Sequence, residues 1–314
     1  MLTLRSLHYD RYKTDSKSEL QTTHLSVLSG GAGIDFPLMR DWSLGYSYNR
    51  GFRAPNDSEM RFGGDLNIHG VVANIKLNPN LKPEYSDTHQ VLLKGNGDWG
   101  NLFVTGYYTK YKDLIEFVDY NKDSEESYSQ YTNTPTAKVY GVDITGKLRL
   151  AYFIPQLPEG LNLTGGLGVA HGSKGKQSLL SVQPLRALFG VEYIAPNDDW
   201  SVAFLGQYHH AKKAKDTIHL GFDPDAYEDV LMPAAHLSPS YTIFDLVGRK
   251  NFGKHASISL GVYNLFNKQY YSWDSLRTLI NSGAESNSIG EKGEGIERFR
   301  GAKRYVMASV ELKF

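Results

Sequence analysis

The 314-residue chain contains no cysteine. That absence removes structural disulfides, thiolate metal sites and any cysteine nucleophile. Charge of one sign is not in surplus either: 34 Lys and Arg stand against 34 Asp and Glu. Nothing electrostatic therefore points to nucleic acid as a partner. No apolar run approaches the roughly 18–20 residues that a membrane helix needs. The opening MLTLRSLHYDRYK has no apolar stretch of the secretory-signal kind. Catalytic and phosphate-binding signatures are missing too: GxSxG does not occur, and Gly175-Lys176 is followed by Gln177 rather than Ser or Thr.

Tyrosine and glycine are plentiful, at 21 and 31 residues, and they sit within stretches of strict alternation. Leu161, Leu163, Leu167 and Val169 share one parity, and Asn162, Thr164, Gly166 and Gly168 the other. In 185–193, Leu185, Ala187, Phe189, Val191 and Tyr193 oppose Arg186 and Glu192. In 256–262, Ala256, Ile258, Leu260 and Val262 oppose Ser257, Ser259 and Gly261. Period-two patterning argues for strands with one apolar face. Similar segments at 2–12, 24–36, 42–50, 84–94, 100–112, 139–150, 200–208, 241–250 and 303–314 bring the expected number to about twelve. Most are near the ~9–11 residues that cross a bilayer as a tilted strand.

The connections alternate in length. Short ones fall at 37–41, 95–99, 153–160, 195–199 and 252–254, and long ones at about 51–82, 113–135, 172–182, 212–238 and 272–301. One rim of short turns and one of long loops is the outer-membrane barrel pattern, whereas a soluble sandwich rarely keeps that order. Trp42, Trp99 and Trp200 each follow an aspartate at a short turn, which places them at one membrane interface, where amphipathic rings form a girdle. The last strand runs Val306, Ala308, Val310, Leu312, Phe314 on one parity. Ending on an aromatic resembles the assembly signal of outer-membrane barrels. The expected fold class is all-β, an antiparallel transmembrane β-barrel in the bacterial outer membrane, with the lipid bilayer as a partner.

Two short boxes narrow this. Residues 49–55 read NRGFRAP, carrying Phe52, Arg53, Ala54 and Pro55; residues 78–84 read NPNLKPE, carrying Asn78, Pro79, Asn80 and Leu81. They resemble the FRAP and NPNL boxes of TonB-dependent haem and haemoglobin receptors. GVYNLFNKQYYSWDSLR (261–277), YTIFDLVG (241–248) and the terminal GAKRYVMASVELKF are similar to the haemoglobin, transferrin and lactoferrin receptor group. That resemblance implies a 22-stranded barrel filled by an N-terminal plug that contacts the TonB complex, with haem or haemoglobin caught by outer loops. Haem is then the transported ligand rather than a fixed cofactor. With about twelve strands, no plug and no TonB box, residues 1–314 are expected to be the C-terminal part of such a barrel.

His69 lies between the two boxes, where the resemblance implies the ligand histidine, and a neutral imidazole suits haem iron. The surrounding GGDLNIHGVVANIKL has no evident aromatic platform. His209 and His210 end the 200–210 strand and are weaker candidates to hold haem or a metal; His171 is comparable. Asp223, Asp225 and Glu228 lack the spacing and central glycine of a calcium loop. Four readings stand side by side: a haem or haemoglobin receptor, a transferrin, lactoferrin or siderophore receptor, an outer-membrane enzyme, and a passive porin. An enzyme needs a Ser/His/Asp-type set at one level of the wall, and none is legible in the local sequence.

Overall fold

A computed structural model describes residues 2–8, 24–61, 63–68, 71–120, 128–223, 228–277, 279, 289–290 and 293–312. Twelve strands pair in chain order into one sheet, with the two-residue Gln177–Ser178 as a thirteenth off that path. They are β1 (Leu2–His8), β2 (His24–Met39), β3 (Trp42–Arg53), β4 (Glu84–Gly97), β5 (Gly100–Lys112) and β6 (Ala137–Arg149). The remainder are β7 (Leu161–Lys174), β8 (Arg186–Ile194), β9 (Trp200–His209), β10 (Tyr241–Phe252), β11 (Ala256–Tyr263) and β12 (Tyr305–Leu312). The expected strand number and the antiparallel all-β class both hold. Phe314 lies outside the described residues, and so does the aromatic end of the last strand.

The chain divides into two compact units. One comprises residues 1–34, 46–90 and 107–139; the other comprises 35–45, 91–106 and 140–314.

In the second unit, register explains the alternation. Leu163 pairs with Val191, Val191 with Phe204, Phe204 with Leu246, Leu246 with Val262, and Val262 with Val306. One row of apolar side chains thus crosses six strands. Leu163, Val191, Phe204 and Val306 are 40–64% exposed, which is stable only if the surrounding solvent is itself apolar. The opposite parity is polar. Lys147 pairs with Glu192, Arg249 reaches Ser257 and Glu311, and Gln207 donates to Asp245. In lipid every backbone group must find a partner within the protein, and continuous ladders supply them.

The short connections use the turn chemistry that the sequence advertises. Arg40-Asp41 joins β2 to β3, Asp98-Trp99 joins β4 to β5, and residues 253–255 join β10 to β11, with Gly253 at φ +63°. Gly100 sits at φ +126°, and a Cβ there would collide with the Lys147 carbonyl oxygen, so only glycine fits. At the same rim Trp42 and Trp99 stack 5.6 Å apart, and Trp200 packs at 5.2 Å against Tyr193. The three tryptophans therefore mark one end of the strands, as expected.

The long connections are not plain loops, which corrects the sequence reading. Gly64–Ile68, Val71–Lys76, Tyr128–Thr134 and Leu114–Tyr120 form a separate four-stranded sheet in that order. Its middle pair is parallel, with Ile75 opposite Ser129. His219–Asp223 and Glu228–Met232 make a further hairpin. The middle pairing joins residues more than 50 apart and so leaves no local periodicity to read.

Candidate functional site

The two boxes meet in the first unit as a clamp. β3 ends on Arg53, and the chain turns through Ala54 and the fully buried Pro55 into the short helix α1 (Asp57–Arg61). Asn56 caps α1 reciprocally with Glu59. Its side-chain oxygen accepts from the Glu59 N–H at 2.8 Å, and the Glu59 carboxylate accepts from the Asn56 N–H at 2.8 Å. This is the capping-box arrangement, which satisfies two orphan donors at a helix start. Glu59 also takes both bonds of the Arg53 Nη1 group, at 2.8 and 2.9 Å. Arg53 Nε donates to Glu84 at 2.5 Å. The planar guanidinium thus joins the end of one box to the residue that closes the other.

Glu84 has a second task, accepting from the Ile115 N–H at 2.6 Å. Leu81 is 2% exposed and packs with Met60 and Ile115, against which Tyr131 also lies. Asn78 donates to the Tyr131 carbonyl, and its own oxygen accepts from the Asn80 N–H. Asn133 accepts from the Lys82 N–H and donates to the carbonyls of Lys82 and Asp113. Phe52 is half-buried, while Pro79 and Asn80 form an exposed turn. The boxes are therefore a joint that ties both ends of the 54–83 connection to residues 113–133. His69 and Gly70 lie outside the described residues.

His209 and His210 of the second unit face opposite ways, as neighbours along a strand do. His209 shares the polar parity and stacks on Tyr241 at 4.7 Å; Tyr241 in turn stacks on Tyr270 at 4.5 Å. His210 takes the apolar parity, with Nδ1 2.9 Å from the Tyr208 hydroxyl. Burial pushes the Tyr270 phenol up, with Tyr305 and Asp245 adding to it.

The connection after β11 is pinned at two points. Asn264, at φ +48°, donates to the carbonyls of Lys268 and Ala302, accepts from the Lys268 N–H, and gives its own N–H to Asp245 at 2.8 Å. Trp273 is 2% exposed, donates Nε1–H to the Leu180 carbonyl at 2.7 Å, and carries the Lys212 ammonium 5.1 Å from its ring. Burial pulls that ammonium below the ordinary lysine range, partly opposed by Asp216.

Sequence reasoning did not single out Glu59, Glu84, Asn133, Asn264 or Trp273 as working residues. Only Glu59 had a readable signal, since N-x-x-E at 56–59 directly after FRAP is a capping signature. No cluster of three or more His, Asp or Glu able to hold a metal exists among the described residues.

A sheet with one apolar and one polar face and short turns at one end is the wall of a transmembrane β-barrel protein. The chain belongs to the family described as TonB dependent receptor-like, beta-barrel, whose profile matches residues 3–265. It is 31% identical over 307 residues to hemoglobin-haptoglobin utilization protein B of Neisseria meningitidis serogroup A, covering 91% of this chain and 37% of that protein. It is 29% identical to hemoglobin and hemoglobin-haptoglobin-binding protein A of Haemophilus influenzae, covering 92% of this chain and 27% of that one. Among solved structures the copper transporter OprC superposes with a TM-score of 0.65 at 22% identity, over 93% of this chain and 40% of OprC. That likeness shows the fold alone. The chain thus spans about a third of the length of the two receptors it resembles.

Proposed function

We propose that these twelve wall strands are part of a larger barrel, of about 22 strands in the whole protein, that takes up haem iron across the bacterial outer membrane. In this reading haemoglobin is the source, haem is the transported ligand, and a plug domain of the whole protein engages the TonB complex. The two named receptors support the haemoglobin assignment. β1 and β12 each have a single neighbour in the strand order among the described residues, and an open strand edge in lipid is costly, which supports a larger barrel. The reading is one of transport rather than catalysis.

The observation that carries it is the clamp. Arg53, Glu59 and Glu84 with Asn78, Leu81 and Asn133 hold both ends of the connection that contains His69. A loop fixed at both ends presents its tip with less ordering cost on binding. In that role His69 supplies an imidazole to haem iron.

The test is His69→Ala in the full-length receptor, in cells that use haemoglobin as their only iron source. Haem uptake is expected to fall about tenfold or more, the loss of one good ligand interaction, with surface abundance of the receptor unchanged. Uptake equal to wild type removes His69 from the mechanism.

A further inference from the structure

The apolar row across the second unit has a counterpart on the other face of the sheet. Gly168 pairs with Arg186, Arg186 with His209, and His209 with Tyr241. All four take the polar parity, since their neighbours Leu167, Ala187 and Tyr208 continue the apolar one. The geometry agrees. A Cβ on Gly168 would meet Asp143 Oδ1 at 2.7 Å and Arg186 Nε at 3.4 Å, and Asp143 belongs to the polar parity of β6. The row stands at the long-connection end of the strands, because Arg186 opens β8 and His209 closes β9. In a barrel this is the side of the wall that a transported ligand passes.

The row carries more than a wall requires. His209 lies flat on Tyr241, at 4.7 Å with 11° between the planes, and Tyr241 stacks on Tyr270 at 4.5 Å. The His209 ring nitrogens make no hydrogen bond among the described residues, and the Arg186 guanidinium makes neither a hydrogen bond nor an ion pair there. Asp143, the acidic residue of the row, lies on the other side of Arg186 from His209. Asp245, two residues from Tyr241, is engaged by Gln207 and by the Asn264 N–H. Next to Arg186, β7 presents Gly166, Gly168 and Ala170 to the same side, so that stretch of sheet bears no side chain larger than a methyl. Leu188 is 50% exposed on this polar face and pairs with Gly166 and Gln207.

A flat floor, an exposed leucine, a stacked imidazole with free nitrogens and an unpaired guanidinium complement one kind of molecule. It is planar and mostly apolar, with a metal at its centre and carboxylates at its edge. A neutral imidazole nitrogen is a good axial donor to haem iron. A guanidinium matches a carboxylate in a two-pronged geometry. Small residues and a leucine let the macrocycle approach and cover it. The stack on Tyr241 holds the imidazole plane in place, which lowers the ordering cost of ligation.

We propose that this row is a haem-binding site on the inward face of the wall. His209 gives a nitrogen lone pair to the iron, and Arg186 pairs with a propionate. Tyr241 and Tyr270 are positioning residues behind the imidazole. The proposal rests on the haem reading and adds to it a site built from residues of the second unit.

The test uses purified full-length receptor carrying His69→Ala, so that ligation by that residue is absent. It is compared with the same protein carrying in addition His209→Phe or Arg186→Gln. Phenylalanine keeps the stack on Tyr241, and Arg186 is exposed, so folding is expected to be unaffected. Ferric haem, haem dimethyl ester and iron-free protoporphyrin are each titrated by absorbance. His209→Phe should weaken ferric haem about tenfold or more, the loss of one ligand interaction. It should also remove the imidazole signature from the haem spectrum and leave iron-free protoporphyrin unchanged. Arg186→Gln should weaken haem about fivefold, as for an exposed charge pair, and leave the dimethyl ester unchanged. Unaltered haem affinity and spectrum in His209→Phe overturns this site while the receptor reading stands. An equal loss for iron-free protoporphyrin assigns His209 a packing role and overturns the site as well. A wild-type receptor that binds no haem overturns both.

Discussion

Replacing Glu84 by alanine is expected to cost the clamp about 2–4 kcal/mol. Two losses combine. The backbone N–H of buried Ile115 loses its acceptor, a penalty of about 1–3 kcal/mol for an unsatisfied buried donor. Arg53 loses a charge-assisted bond at 2.5 Å, worth less than its buried value because the arginine side chain is 44% exposed. Arg53 keeps Glu59, so the effect stays below complete loss of the joint. Glu84→Gln isolates the terms: it retains an acceptor for Ile115 and loses the charge, and should cost about 1 kcal/mol. The expected readout is local, because rim segments open independently of the wall. Protease nicking between residues 54 and 83 should accelerate about 30-fold or more in the alanine variant, while heat-modifiable mobility of the barrel is unchanged. Equal nicking in wild type and Glu84→Ala would show that the boxes do not hold this connection.

Trp273→Ala is expected to give the largest single loss at the outer end of the second unit, about 3–5 kcal/mol for emptying a buried tryptophan site. The side chain is 2% exposed, anchors Leu180 through its indole N–H, and offers its ring to the Lys212 ammonium. Its removal also leaves a buried cation with only the Val182 carbonyl and Asp216 as company. Hydrogen exchange of residues 264–277 and 179–183 should rise together, because the indole bridges the two connections. Trp273→Phe keeps most of the burial and loses one hydrogen bond, so it should cost about 1 kcal/mol. Exchange that rises in only one of the two segments would contradict the bridge.

The wall was legible because its physics is local. A strand with lipid on one side must alternate, and Leu161 to Val169, Phe189 to Val191 and Ile258 to Val262 do so without knowledge of their neighbours. The tryptophans at 42, 99 and 200 were legible for the same reason, each lying beside a turn signal. The rim was not. Gly64–Ile68 and Val71–Lys76 are too short to show a period, and the parallel pairing of Ile75 with Ser129 joins segments far apart in the chain. The boxes were recognised as words but not as a joint, since Glu84, Ile115 and Asn133 join them only in space. Either His209 or His210 was a candidate ligand in the sequence; strand geometry sends one to the aromatic stack with Tyr241 and the other to Tyr208. Asn264 and Asp245 sit in two segments that carried the family resemblance, and the hydrogen bond between them supplies a structural reason for both.

The central claim, uptake of haem iron from haemoglobin, is tested most directly by growth. Iron-starved cells supplied only with haemoglobin are compared with and without the gene for the full-length receptor, each in a background with and without TonB. The account predicts growth only where both are present, and restoration by wild-type receptor but not by receptor carrying His69→Ala. Undiminished growth on haemoglobin after loss of the receptor gene, in cells with no second haemoglobin receptor, would contradict it.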